Sequence, residues 1–458
     1  MKKSFVWMPL VVQLCAFGFA GDSPIKARSK WVMPAILFKP TPHEMVEMYH
    51  LAQRDPAALL SYLDEEWLDR KLYGGTPPDF SDGWLRYYLR LYAVRLLGDN
   101  APPELIAPLE EYAQRFEARA KAARGMREDL KQFADEVRCA LERIRYRLQG
   151  QDAYVKAMME WVRTPEPVEL RPGDNVYPIW QKVEEGARAL GVLQAREAVP
   201  VLMERVSSDR TKMCGRALAR IGDKRAMEVL REYVGSCFPE IVHGGLYTPP
   251  LEPGEPDPAW VYWQMRTEGM SLEQAILEIA YESSKANLRK RDILEYIGQP
   301  AVPVLVKVLE DLHSPDHAVS VALDVLITLR APEAARAFLN ILRRGPYKAD
   351  AARGLGWLGA QEAFDDLLAA AKQDRDMKLR VAAIEALGRL EDKRAEPLLL
   401  DLVAHPDPNI RVIAAKALHR AGTPAAIPKL EQILQNEPYP VIRGAMRSAI
   451  NVLRQKAR

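Results

Sequence analysis

Cysteine is scarce: the 458 residues hold four, at 15, 139, 214 and 237. No Cys-x-x-Cys pair and no Cys/His spacing of the zinc-site kind is present, so no structural zinc is expected. Net charge is nearly missing too, with 64 Lys and Arg against 62 Asp and Glu, a formal +2. That balance gives no electrostatic reason to expect nucleic acid as a partner. Pro and Gly, at 34 and 26 residues, are too few for a collagen-like or low-complexity chain. Beyond Ala20 no apolar run approaches the roughly 20 residues of a membrane-spanning helix. A nucleophile elbow, a phosphate-cradling Gly loop and a recognisable triad are also absent, so neither a catalytic residue nor a cofactor is expected. What is present is 48% hydrophobic and 28% charged residue content, enough for a sizeable core and wrong for disorder.

The first twenty residues, MKKSFVWMPLVVQLCAFGFA, follow another pattern. Lys2 and Lys3 precede an apolar stretch, and Gly18 and Ala20 put small residues where a cleavage site before Gly21 needs them. This predicts a signal peptide over 1–20 and an exported chain, periplasmic or extracellular. The stretch is short for a membrane anchor. Val12-Gln13-Leu14 before Cys15 lacks the small residue of a lipidation site. After cleavage three cysteines remain, an odd number that cannot be a complete disulfide framework. Cys214 and Cys237 flank one predicted hairpin and could pair; alternatively all three are small buried hydrophobes.

Self-similarity dominates the rest. Residues 380–407 read RVAAIEALGRLEDKRAEPLLLDLVAHPD, and residues 411–434 read RVIAAKALHRAGTPAAIPKLEQIL. Each has an apolar stripe at i, i+3, i+4 and i+7, then a break, then a second stripe, which predicts a helix–turn–helix hairpin. An anchor residue recurs at Leu190, Leu218, Leu294, Leu326, Leu355, Leu387, Leu418 and Ile450, in steps of 28 to 32 residues except one of 76. The long step holds an insertion. The turns repeat as well: GDKRA at 222–226 matches EDKRA at 391–395 in four of five places. In Gly298-Gln299-Pro300-Ala301 and Gly422-Thr423-Pro424-Ala425, Gly ends the first helix. Pro then opens the second, where its missing N–H costs nothing. One hairpin cannot bury its apolar faces alone, so neighbours stack. Small residues such as Ala382, Ala383, Ala386, Ala414, Ala415 and Ala417 let the helices approach closely.

These residues resemble the short HEAT-like repeats first noted in phycobilisome lyases. That family's start pattern, Asp-Pro-x-[Val/Ile]-Arg followed by Ala-x-x-Ala-Leu, stands here as Asp407-Pro408-Asn409-Ile410-Arg411. A less complete copy is Asp376-Met377-Lys378-Leu379-Arg380. Arg443 keeps the arginine while Tyr439 replaces the acid; Asp209 keeps the acid while Cys214 replaces the arginine. The resemblance covers 176–238 and 288–458. It implies an all-α chain, an α-solenoid: a right-handed superhelix of hairpins whose second helices line the concave side. It also implies that Asp376, Arg380, Asp407 and Arg411 are structural, linking adjacent repeats through hydrogen bonds. It leaves the task open, because such arrays serve scaffolds, carriers and a few enzymes alike. Bilin attachment is not carried over, since an export signal is hard to reconcile with that cytoplasmic chemistry.

Two regions depart from the repeat. Residues 21–175 read as an irregular helical N-terminal region or cap between the signal peptide and the repeats of 176–238. Within it, Tyr92 to Pro103 looks like a degraded repeat, and 127–148 predicts a long amphipathic helix. Arg143, Arg145 and Arg147 on that helix read as a solvated end. The insertion, 239–270, precedes the second block of repeats at 271–458. Pro239, Pro249, Pro250, Pro253, Pro256 and Pro258 exclude regular helix from its first two-thirds. Tyr247, Trp260, Tyr262 and Trp263 concentrate aromatic surface there, either to bind a partner or to tack the loop onto the repeats. On the first reading, deleting 246–260 leaves the fold intact and abolishes partner capture.

One metal-like pattern occurs: His43, Glu47 and His50 fall on one helical face at i, i+4 and i+7, with no fourth ligand in view. His313 and His317 fit a solvated connection. The sequence therefore predicts an exported, non-catalytic scaffold that binds a protein partner through the concave helices, the 239–270 loop or both. The alternative is an enzyme or metal protein with its site in the N-terminal region.

Overall fold

The computed structural model describes residues 43–74, 83–122, 127–165, 177–209, 212–236, 251–283, 289–373 and 375–456. Met1–Ala20, Cys237 and Tyr247 lie outside the described residues. Among the described residues every regular element is a helix, and none is long and apolar enough to cross a membrane. The chain divides into two compact units, Met1–Gly269 with Ser284–Arg289, and Met270–Ser283 with Lys290–Arg458.

The first unit contains α1 His43–Arg54, α2 Glu65–Tyr73, α3 Gly83–Asn100, α4 Ile106–Ala122, α5 Arg127–Leu148 and α6 Gln151–Arg163. It continues with α7 Tyr177–Val192, α8 Val199–Arg205, α9 Met213–Ile221, α10 Met227–Ser236 and α11 Pro258–Arg266. Helix α5 spans the residues that the amphipathic pattern predicts. The degraded repeat folds as a hairpin, α3 and α4 joined by a short 3-10 turn at Pro103–Leu105. Helix α3 packs on α5, α5 on α7, and α7 on α9.

The second unit contains α12 Leu272–Tyr281, α13 Lys290–Ile297, α14 Val302–Glu310, α15 Asp316–Thr328, α16 Ala335–Arg344 and α17 Lys348–Leu358. It ends with α18 Phe364–Gln373, α19 Met377–Leu390, α20 Glu396–Leu402, α21 Pro408–Ala421, α22 Ile427–Asn436 and α23 Pro440–Lys456. Hairpins stack in register, so the first helices α13, α15, α17, α19, α21 and α23 each touch the next. A 3-10 turn joins the helices of each hairpin, and the Ala that closes it (Ala301, Ala334, Ala363, Ala395, Ala426) has no exposed surface. The anchors Leu294 to Leu418 are likewise fully buried, and Ile450 is nearly so.

Glycine sets the spacing between first helices. A Cβ on Gly356 would stand 2.6 Å from the Cα of Ala386, and one on Gly388 would stand 2.7 Å from the Cα of Ala417. In the first unit Gly191 meets the Cα of Ala217 in the same way, at 3.0 Å. Each pair lets two backbones approach where larger side chains would hold them apart.

Candidate functional site

The insertion is part of the core. Asp257 accepts the Ala259 N–H at 2.9 Å and Pro258 takes the first turn, so α11 starts where the prolines end. Helix α11 packs on α9 and α10 and is buried almost all round. Trp260, Tyr262 and Trp263 are 1%, 1% and 0% exposed, with the last two rings edge to face at 5.0 Å. The aromatic contact surface expected of these three residues does not exist: burying so much apolar area outweighs leaving it in water. They hold the insertion to the first unit.

The strand of chain before α11 supplies charge. Glu252 and Glu255 enter a connected set of five guanidinium groups (Arg95, Arg143, Arg188, Arg216, Arg220) and five carboxylates (Asp99, Glu184, Glu185, Glu252, Glu255). Glu185 sits at its centre, accepting from Arg95 Nε at 2.6 Å, Arg143 Nη1 at 2.6 Å and Arg188 Nε at 3.1 Å. Arg143 also reaches Asp99 and the Tyr154 hydroxyl, the latter at 3.1 Å. Glu252 meets Arg188 at 3.4 Å and Arg220 at 3.3 Å, while Arg216 Nε donates to Glu255 at 2.6 Å. Burial alone would raise the Glu185 carboxyl, but Arg95, Arg188 and Arg143 overcome it and hold its pKa to about 2. Glu252 is likewise held to about 2, burial being outweighed by Arg188, Arg220, Arg95 and Arg216.

Among the described residues the set holds equal numbers of opposite charges, each facing a partner. The set is an ionic core, and without the insertion Arg188, Arg216 and Arg220 would lose carboxylates they need in a buried setting. Arg143 is therefore not at a solvated helix end: it is 1% exposed, because α5 turns that face toward α3 and α7. Arg145, on the opposite side, is exposed and pairs with Glu110.

The metal-like pattern on α1 does not converge. His43 Nδ1 pairs with Glu47 at 3.5 Å, both about half exposed, and His50 packs its ring edge against Tyr49. Among the described residues no three His, Cys, Asp or Glu side chains stand close enough to hold a metal ion. Cys139 and Cys214 are buried free thiols, both pushed up chiefly by burial and so poor nucleophiles.

At the repeat starts, Asp376 and Asp407 cap α19 and α21, accepting the Lys378 and Asn409 N–H groups at 2.9 and 2.8 Å. Arg380 Nε donates to the Ala371 carbonyl of the preceding hairpin at 3.1 Å. Arg411 reaches back to the His405 and Pro406 carbonyls and forward to Glu437, with Nε to Oε2 at 2.7 Å. Arg443 grips the Glu437 and Pro438 carbonyls in the same manner.

A groove of about 490 Å3 crosses α19, α21 and α23. Small residues, Gly388, Ala417, Gly444 and Ala445, form part of its floor, with Ile413 and Val441 as apolar walls. Its charged residues are Glu385, Arg389, Lys416 and Arg420, an excess of cations, beside His419. Among the described residues none of the three cations has a carboxylate in ion-pair reach, and Arg389 Nε has no hydrogen-bond partner. Arg389 lies 4.1 Å over the ring of Trp357, itself 41% exposed. The groove is built from first helices, where the sequence reading looked to second helices. Its sequence signal is the position two after the anchor: Arg389 and Arg420 follow Leu387 and Leu418, and Trp357, on which Arg389 packs, follows Leu355.

A family model described as HEAT repeats matches residues 336–403 and 364–451. Residues 336–451 are HEAT repeats. The phycobilisome maturation protein of Synechococcus elongatus is 38% identical over 141 residues, covering 28% of this chain and 66% of that protein, just under two thirds of its length. Among solved structures, Kap121p superposes with a TM-score of 0.43 at 11% identity, covering 90% of this chain and about half (49%) of Kap121p. Human deoxyhypusine hydroxylase gives a TM-score of 0.20 at 16% identity, covering 78% of this chain and 99% of that one. Superpositions this loose support no functional parallel. The groove, lined from Glu385 to Ser448, falls wholly within the HEAT repeats.

Proposed function

We propose that this chain is an exported, non-catalytic HEAT-repeat scaffold that binds a protein partner. The observation that carries the reading is the contrast between two sets of charges. The ionic core of the first unit is balanced and closed, whereas the groove on α19, α21 and α23 leaves Arg389, Lys416 and Arg420 uncompensated at the surface. Stacked hairpins present side chains at fixed intervals, which suits distributed recognition of a protein segment. Export rests on the pattern of Met1–Ala20. The test is in-cell crosslinking of the exported chain followed by mass spectrometry. A reproducible partner with crosslinks on the HEAT repeats supports the scaffold; absence of any partner above background, or recovery of the whole chain in the cytoplasm uncleaved, overturns it.

A further inference from the structure

The groove has a chemistry of its own. The position two after the anchor is filled in three successive repeats by Trp357, beside the groove, and by Arg389 and Arg420 within it. Register stacking therefore lines them up across α17, α19 and α21. Arg389 is held between the Trp357 face and the groove, its Nε unpartnered. Burial lowers its pKa, and Arg420 and Arg353 nearby push the same way against the lone counter-effect of Glu385. Three cations against the single Glu385 carboxylate, none of them in ion-pair reach of it, leave a site that an anion would relieve.

Resting on the scaffold reading, we infer that this groove binds an extended acidic peptide segment, with carboxylates spaced about three residues apart meeting Arg389 and Arg420. Packed helices lie about 8–10 Å apart. A chain extended as polyproline II advances about 3.1 Å per residue and brings every third side chain back to the same face. A segment crossing the first helices thus brings one side chain to each repeat at about every third residue. Lys416, one turn before Arg420 on α21, offers a further cation, and Ile413 and Val441 receive an apolar side chain between the acids. Nucleic acid fits less well. The cations of the groove form a short row with Glu385 among them, instead of a phosphate-tracking stripe.

The test uses the full exported chain and a fluorescent 12-residue peptide with Glu at every third position and Leu between, read by anisotropy at low salt. The controls are the same peptide with Lys in place of Glu and a single-stranded DNA 12-mer. The Glu peptide binds, the Lys peptide does not, and affinity falls as salt rises. Lys416→Glu with Arg420→Glu weakens binding at least tenfold. Gly444→Trp, placed where a Cβ meets nothing within 4 Å, fills the groove and weakens binding similarly with a melting temperature no lower than the parent's. Equal binding by the variants, tighter binding of the DNA, or no binding of the Glu peptide overturns the inference. If the peptide fails while partner crosslinks still form elsewhere on the repeats, only the groove assignment falls and the scaffold stands.

Discussion

Replacing Glu185 with Gln tests the ionic core at its centre. The side chain is 2% exposed and accepts from three arginines, so the isosteric amide removes one charge without opening a cavity. Two routes give the cost. Removing one member of a buried ion pair costs about 3–5 kcal/mol. Separately, a carboxyl held to about 2 in the folded chain, against about 4.3 when unfolded, stores about 3 kcal/mol at 1.36 kcal/mol per unit. Both point to about 3 kcal/mol, a drop of roughly 150-fold in the protection of amides that exchange only when this unit opens. Hydrogen exchange with mass spectrometry on peptides of α3, α5 and α7 reads it directly. Adding Arg143→Met restores the charge balance and should recover part of the loss, since an apolar side chain of similar length leaves no stranded cation. Protection in Glu185→Gln within twofold of the parent chain would refute the idea that this network is a closed ionic core.

The same groups set the acid limit of the fold. Glu185 and Glu252 have folded-state pKa values lowered to about 2, so their stabilisation is complete above the unfolded value and lost as pH falls through the folded one. Circular dichroism against pH should hold steady down to about pH 5 and collapse between about 4.5 and 2; a transition centred near neutrality contradicts this. Gly388→Ala and Gly444→Ala should shift the melting temperature in opposite directions. The first drives a Cβ to 2.7 Å from Ala417 Cα, an overpacking cost of about 1–3 kcal/mol that exceeds the helix-propensity gain of about 1 kcal/mol. The second meets open space and keeps the gain. Trp263→Ala should cost about 3–5 kcal/mol in a urea titration, and deleting 246–260 should unfold the first unit by removing Glu252 and Glu255. That outcome is the reverse of what a free loop would give.

Local periodicity by itself determined the hairpins of this protein. The 3.6-residue spacing of apolar side chains, Gly or Asp at helix ends and Pro at helix starts act within a few residues of one another. Helix α5 and the buried anchors Leu294 to Leu418 were legible for that reason; the family resemblance implies that Asp376 and Asp407 link repeats, and the structure shows each capping its own helix. Tertiary structure decided everything that depends on distant partners. Arg143 looks solvated in a stretch of alternating arginines, yet its carboxylates come from Asp99 and Glu185, 44 and 42 residues away. Trp260, Tyr262 and Trp263 look like a sticky loop until α9 and α10 cover them. The cation row of the groove exists only because the Gly388–Ala417 contact sets two helices close and in register, bringing Arg389 and Arg420 side by side from separate repeats. Helix formation is settled by neighbours in the chain. Which charges are paired and which are left exposed is settled by how the helices pack.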